Sequence, residues 1–284
     1  IKLIKSKLDK FFFKKKLKGT ILLSLEGINA SIAGSVYDLE ESIKFLKKIL
    51  KIKKLEIKKN TTKFIPFNKM KVRLKKEIVS LGQGYFNIHN KTGNFISPSE
   101  WDKLIKKKNI KLIDIRNNYE IQIGRFKSSL NPMTRNFREF PKEFEKLKID
   151  KKEDIAMYCT GGIRCEKASA YLKKEGYKNI FQLKGGIINY LTYHKENKTD
   201  SLWDGECFVF DNRVTINKEL TQGKYVQCFG CRRPLTKEDI KSKYYKKGVT
   251  CGYCYFERTE KQKKSSMSRQ LQIDKSGKYS NTNY

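Results

Sequence analysis

Three short apolar runs, at residues 111–115, 155–158 and 180–183, alternate with helical stretches at 137–147, 165–175 and 187–194. Ser97-Pro98 opens a further short helix around Trp101, because proline suits a first helical turn. Strands alternating with helices imply a parallel sheet covered on both faces. Sheets of that kind bind ligands at the carboxyl ends of their strands.

The segment after the second run carries chemistry: Tyr158-Cys159-Thr160-Gly161-Gly162-Ile163-Arg164-Cys165-Glu166-Lys167-Ala168. Cys159 directly follows a buried strand, a glycine pair comes next, and then a helix begins. Two glycines let backbone N–H groups turn inward around one point. The helix N-terminus adds partial positive charge and Arg164 a full one. All three favour a thiolate at Cys159 and an anion beside it. The alternative is a glycine-rich turn around an inert cysteine. Cys165 is either a second thiol able to resolve a persulfide or sulfenate as a disulfide, or a small apolar residue packed on the sheet. Arg164 either holds the anion in the loop or pairs with Glu166. Asp114 and Arg116 position the loop or form a structural ion pair.

The chain has 284 residues, enough for two or three domains. With 38% hydrophobic and 12% aromatic residues it can build cores, which excludes a wholly disordered protein. No run approaches the roughly 18 apolar residues of a membrane-spanning helix. The net charge of +33 comes from 52 Lys and 11 Arg against 30 acidic residues. Part of it is lysine bias, but a field of that sign attracts polyanions: nucleic acid first, an anionic membrane surface second. Residues 1–84 are the most basic, with 22 basic against 7 acidic side chains. The cysteines are Cys159, Cys165, Cys207, Cys228, Cys231, Cys251 and Cys254, an odd number in a long chain. That argues against a secreted disulfide framework and for a reducing, cytoplasmic setting.

Residues 1–84 read as α-β-β-α-β. A helix over 1–16 carries Ile4, Leu8, Phe11 and Phe12 on one stripe; a buried strand follows at 20–25, a turn at 26–29 and a second strand at 30–33. Ser35 caps a helix to residue 50 with Leu39, Ile43, Leu46 and Leu50 inward, and 55–57 and 72–74 read as further strands. One more strand before Ile1 would complete a ferredoxin-like, acylphosphatase-like unit; the chain does not start with Met, so that strand is expected outside this sequence.

The Cys159 loop resembles the active-site loop of rhodanese domains, in which the cysteine carries a persulfide. Asp114-Ile115-Arg116, Tyr119-Glu120 and Gly124 resemble the rhodanese Asp-x-Arg…Glu…Gly segment, and Gln182-Leu183-Lys184-Gly185-Gly186-Ile187 its last Gly-Gly turn. Related phosphatases place cysteine and arginine one residue further apart; Cys159 and Arg164 stand as Cys-x4-Arg, suited to sulfur chemistry. The likeness extends to Gly19-Thr20-Ile21-Leu22-Leu23, Glu26-Gly27-Ile28-Asn29-Ala30, Phe137-Arg138-Glu139-Phe140-Pro141 and Gly205-Glu206-Cys207-Phe208-Val209-Phe210-Asp211. Together these are similar to the rhodanese-like tRNA uridine hydroxylases. The resemblance implies oxygen-dependent hydroxylation of wobble uridine 34 at C5, with Cys159 and Arg164 catalytic in a loop of Thr160, Gly161, Gly162 and Ile163. Spacing alone would give a persulfide sulfurtransferase, which stays the alternative, as does a non-catalytic RNA binder. Molecular oxygen is then a co-substrate and an unidentified electron donor is required. No flavin or nicotinamide glycine fingerprint is visible, and His89 and His194 lie in no metal-spacing motif.

Cys228-x2-Cys231 and Cys251-x2-Cys254, 19 residues apart, suit four thiolates around one structural zinc. Redox disulfides and unbound thiols are the alternatives. Cys207 reads as core. The expected organisation is a ferredoxin-like domain at 1–84, a rhodanese α/β domain at 85–200, a cysteine-rich segment at 201–260 and a polar, partly disordered tail at 261–284. The expected partner is the anticodon stem-loop of tRNA, whose unpaired bases stack on aromatic and guanidinium planes. Arg135, Phe137 and Arg138 are candidates for that contact, with the basic first domain taking the tRNA body; the competing reading of these three is a helix packed on the sheet.

Overall fold

The computed structural model describes residues 1–84 and 92–276; His89 lies outside them. The chain begins with α1 (Lys2–Phe13), β1 (Lys18–Ser24), β2 (Gly27–Ala33), α2 (Val36–Leu50) and β3 (Met70–Leu74). Leu8 and Phe12 of the α1 stripe are buried, with Ile4 and Phe11 packed beside them. Phe11 stacks on Phe45 of α2, ring centroids 4.0 Å apart. The sheet order is β2-β1-β3, with β1 antiparallel to β2 and parallel to β3.

Several details differ from the sequence reading. The hairpin pairing continues to Ser24 opposite Gly27, so only Leu25 and Glu26 make the turn. On α2, Ser42 is buried and Ile43 stands outside the core cluster. Ser42 returns its hydroxyl to the Asp38 carbonyl at 2.7 Å, so its burial leaves no bond unmet. Residues 55–57 form no strand and belong to the connection between α2 and β3. Among the residues present, β3 pairs directly with β1, an arrangement the split unit did not anticipate.

The second part comprises β4 (Asn94–Ile96), α3 (Pro98–Ile105), β5 (Ile110–Asp114), α4 (Asn118–Ile121), β6 (Gly124–Phe126), α5 (Phe140–Glu145), β7 (Asp154–Tyr158), α6 (Ile163–Lys174), β8 (Ile180–Leu183) and α7 (Gly186–Asn197). Strands β4-β8-β7-β5 form the expected parallel sheet. Strand periodicity sends Ala156 and Tyr158 into a core with Trp101 and Tyr190, and Ile155, Met157 and Cys159 into another with Phe140 and Leu172. The helix expected over 137–147 is a 3-10 turn at Phe137–Glu139 followed by α5, with Pro141 in the first helical turn.

Beyond it, β9 (Trp203–Gly205) pairs with β6, β10 (Cys207–Phe208) with β11 (Thr215–Ile216), and β12 (Val226–Gln227) with β13 (Pro234–Leu235). Trp203, Cys207 and Val209 enter the Trp101 core, so residues 203–209 are packed onto the parallel-sheet unit, and Cys207 is core as read. The expected tail at 261–284 is corrected over its described length: α8 (Glu260–Ser276) is a helix whose covered face is polar, with Ser266 and Gln270 buried. Arg258 donates to the Gly230 carbonyl at 2.6 Å and Arg269 to that of Gly248 at 2.8 Å, docking it on the cysteine loops.

A buried triad clamps the first unit to the second. Lys167 of α6 donates to Glu26 at 2.6 Å and to Glu77, while Glu26 accepts the Ile78 N–H at 2.8 Å. Lys167 is 2% exposed, so both carboxylates meet its ammonium group out of reach of water. Among the described residues, no helix is long and apolar enough to cross a membrane.

Candidate active site

Loops from three parallel strands meet at the carboxyl edge of the sheet. The Gly185-Gly186 turn after β8 leans on the loop after β7: the Ile187 N–H donates to the Cys159 carbonyl at 2.9 Å and the Ile188 N–H to that of Thr160 at 3.1 Å. A Cβ on Gly186, at φ 69°, would lie 2.4 Å from the Cys159 carbonyl oxygen, so this approach needs glycine.

Inside this cradle the Gly162 N–H donates to Cys159 Sγ at 3.1 Å. Burial raises the Cys159 thiol, but the hydrogen bond from the Cys165 thiol, the Arg164 charge and the N–H groups of Cys165 and Gly162 outweigh it and bring it down to about 5. Burial and the adjacent Cys159 push the Cys165 thiol well up, so Cys165 stays a donor. Both readings of Cys165 meet here, since it is fully buried and also hydrogen-bonded to the candidate nucleophile. Cys159 is 1% exposed, so its sulfur lies beneath the surface of the loop.

Arg164 does not pair with Glu166. It makes a two-pronged contact with Glu120, Nη1 to Oε2 at 2.7 Å and Nη2 to Oε1 at 2.8 Å, and touches Thr160 Oγ1 at 3.3 Å. Burial would raise the fully buried Glu120 carboxyl, but the Arg164 charge and hydrogen bonds hold it below the ordinary range. Asp114 and Arg116 are a structural pair, with contacts of 2.9 and 2.6 Å in full burial. Arg116 also donates to the carbonyls of Glu120 at 3.2 Å and Gly124 at 2.6 Å, and so braces the helix that carries Glu120.

The connection between α2 and β3 covers the loop. Lys58 Nζ donates to the Gly161 carbonyl and lies 3.7 Å from Glu56. Beside it, burial first, then Glu56 and Cys159, push the Glu166 carboxyl up to about 6. The Asn212 N–H donates to the Pro66 carbonyl at 2.9 Å, fastening the far end of this connection to the turn that carries Phe210.

The RNA candidates separate. Phe137 is 7% exposed and stacks on Phe140 in the core, so it offers no ring to a base; its spacing of three and seven from Phe140 and Phe144 carried that signal. Arg135 and Arg138 are exposed. Sequence reasoning did not single out Glu120 as a site residue, although it stood in the Asp-x-Arg…Glu…Gly resemblance. Lys58 and Glu166 left no motif.

The four sulfurs of Cys228, Cys231, Cys251 and Cys254 lie within 4.8 Å of one another. Neighbouring sulfurs stand 3.8–3.9 Å apart, close to the roughly 3.8 Å edge of a tetrahedron with Zn–S bonds of about 2.3 Å. A Cβ on Gly230 would lie 2.2 Å from the Val249 carbonyl, so glycine lets the two cysteine loops close on each other. The donor set fits a closed zinc site and leaves no position for substrate.

The parallel sheet with its cysteine loop defines a rhodanese-fold protein, and residues 97–192 match the rhodanese-like domain family. Residues 1–78 match the UPF0176 acylphosphatase-like domain. A tRNA uridine(34) hydroxylase of Pelagibacter ubique (strain HTCC1062) is 48% identical over 268 residues, covering 94% of this chain and 87% of the relative. The chain belongs to the tRNA uridine(34) hydroxylase family. Among solved structures, a rhodanese-related protein of Thermoplasma volcanium is 22% identical across 35% of this chain and 92% of its own, TM-score 0.30. Bacillus anthracis CoADR-RHD is 26% identical across 37% of this chain and 17% of its own, TM-score 0.31.

Proposed function

We propose that this protein hydroxylates wobble uridine 34 of tRNA at C5, forming 5-hydroxyuridine with molecular oxygen as co-substrate. One oxygen atom enters the base and the other leaves as water, which takes two electrons from an external donor. The observation that carries the reading is Cys159, a thiol held near pKa 5 at the carboxyl edge of the sheet, in a chain of this family.

The Cys159 thiolate adds to C6 of uracil and its electrons move to C5, which becomes nucleophilic toward an activated oxygen species. Loss of the C5 proton and expulsion of the thiolate then restore the C5=C6 bond. Arg164, fixed by Glu120, holds negative charge in the loop, and Cys165 hydrogen-bonds the thiolate between turnovers. The anticodon stem-loop is the part of tRNA recognised, with Arg135 and Arg138 as phosphate contacts. The four clustered cysteines hold a structural zinc, whose double positive charge offsets half of the charge of their thiolates.

Mass spectrometry of tRNA nucleosides after reaction tests this. Gain of one oxygen at uridine 34, lost in Cys159→Ser, is the expected result. Sulfur replacing oxygen would mean a sulfurtransferase, and unchanged uridine an RNA binder.

A further inference from the structure

Phe210 is 65% exposed, whereas its neighbour Val209 is 3% exposed. Its ring centroid lies 5.8 Å from the guanidinium carbon of Arg164. It also meets the buried ring of Phe208 edge to face at 5.2 Å. A lone exposed aromatic is ordinary; one in contact with the buried cation of a cysteine loop is not.

The turn carrying it is rigid. The Val209 N–H donates to the Val214 carbonyl at 2.9 Å and the Val214 N–H to the Asp211 carbonyl at 3.1 Å. Asp211 holds the Arg213 guanidinium at 3.0 and 2.7 Å. The ring is therefore presented in advance, and ordering it on binding costs little. A fixed aromatic surface beside a guanidinium matches what unpaired RNA bases take: a stacking plane with positive charge at its edge. A paired base has no free face to offer it.

We infer that Phe210 is the stacking platform for the unpaired pyrimidine that approaches Cys159. This rests on the proposed reaction for the identity of the base, but not for the stacking itself. The test is binding of a labelled uridine-34 anticodon stem-loop RNA, run beside its hydroxylation, with wild-type protein, Phe210→Leu and Phe210→Tyr. Phe210→Leu keeps an apolar side chain and removes the π face, so affinity falls about ten-fold; Phe210→Tyr keeps the face and stays within about two-fold. The Cys159 thiolate titration stays where it is in both. Equal binding by Phe210→Leu and wild type overturns the inference. So does a shift of the Cys159 titration in Phe210→Leu, which would make the ring a support for Arg164. If the binding pattern holds while wild-type protein adds no oxygen, the stacking stands and the proposed reaction falls.

Discussion

Cys159 and the Cys228 cluster place the same atom in opposite surroundings. Around Cys159, two backbone N–H groups, one thiol and one guanidinium converge on a single sulfur. In the cluster, four sulfurs converge on one another. Hydrogen bonds from Cys231 and Cys251 favour charge on Cys228, and the bonds of Cys231 with Cys228 and Cys251 push its own thiol up. Local dipoles can hold one thiolate, but four adjacent thiolates need a cation at their centre. The first arrangement favours a single thiolate and the second a shared cation.

Removing the metal is the harshest way to break that contrast. The purified chain is expected to carry one zinc, measured by elemental analysis and lost in Cys228→Ser. Structural zinc sites contribute on the order of 10 kcal/mol of apparent binding energy, so chelation should unfold residues 226–276 and expose them to protease. The Cys159 loop, built on the parallel sheet, should keep its thiolate. A protein that stays protease-resistant without metal, or that pairs these cysteines as disulfides, removes the contrast.

Glu120→Gln comes next. It leaves Arg164 buried with its two-pronged partner neutralised, and breaking such a pair costs about 3–5 kcal/mol. The Glu120 pKa is depressed in the folded protein. Its stabilisation is therefore present above the unfolded carboxylate pKa of about 4.3 and lost as pH falls through the lower folded value. Urea unfolding of variant and wild type should differ most at neutral pH and converge in acid. A pH-independent gap would mean that Glu120 acts through packing and not charge.

This pair also marks how far the sequence could be read. The strand at 180–183 is where its apolar run placed it, and the Cys159–Arg164 loop is local, so its elements lie within a few residues. Glu120 is 44 residues from Arg164, and nothing in a single sequence pairs them except the resemblance to the rhodanese pattern. Phe137 between two arginines imitates an RNA contact, yet helical spacing assigns it to the core. α8 reads as a polar tail because the chain docks it through Arg258, Arg269, Ser266 and Gln270, with little apolar stripe to see. Lys58 reaches Gly161 across 103 residues from a stretch with no regular structure.

A direct titration sharpens the comparison. The ultraviolet thiolate absorbance of wild type minus that of Cys159→Ser should show one inflection near pH 5, with the thiolate present above it and lost below. Arg164→Gln should move it upward, because the Arg164 charge is one of the causes of the depression. An inflection in the ordinary thiol range of about 8.5 would make Cys159 a buried, inert cysteine and reverse its contrast with the cluster.

The smallest effect is expected at Glu166. Its carboxyl is pushed up to about 6, so it carries negative charge above that pH and opposes the Cys159 thiolate. Glu166 is largely protonated where Cys159 titrates, so Glu166→Gln should leave the Cys159 inflection near 5 almost unmoved. Because the folded pKa of Glu166 is raised, ionising it costs stability; that cost grows as pH rises from its unfolded value of about 4.3 through 6 and stays constant above. The variant should therefore be slightly more stable than wild type at neutral pH and equal to it in acid. An inflection that moves upward would show Glu166 supporting the thiolate as a hydrogen-bond partner, and the loop would then depend on a further element besides Arg164, the Cys165 thiol and the backbone N–H groups.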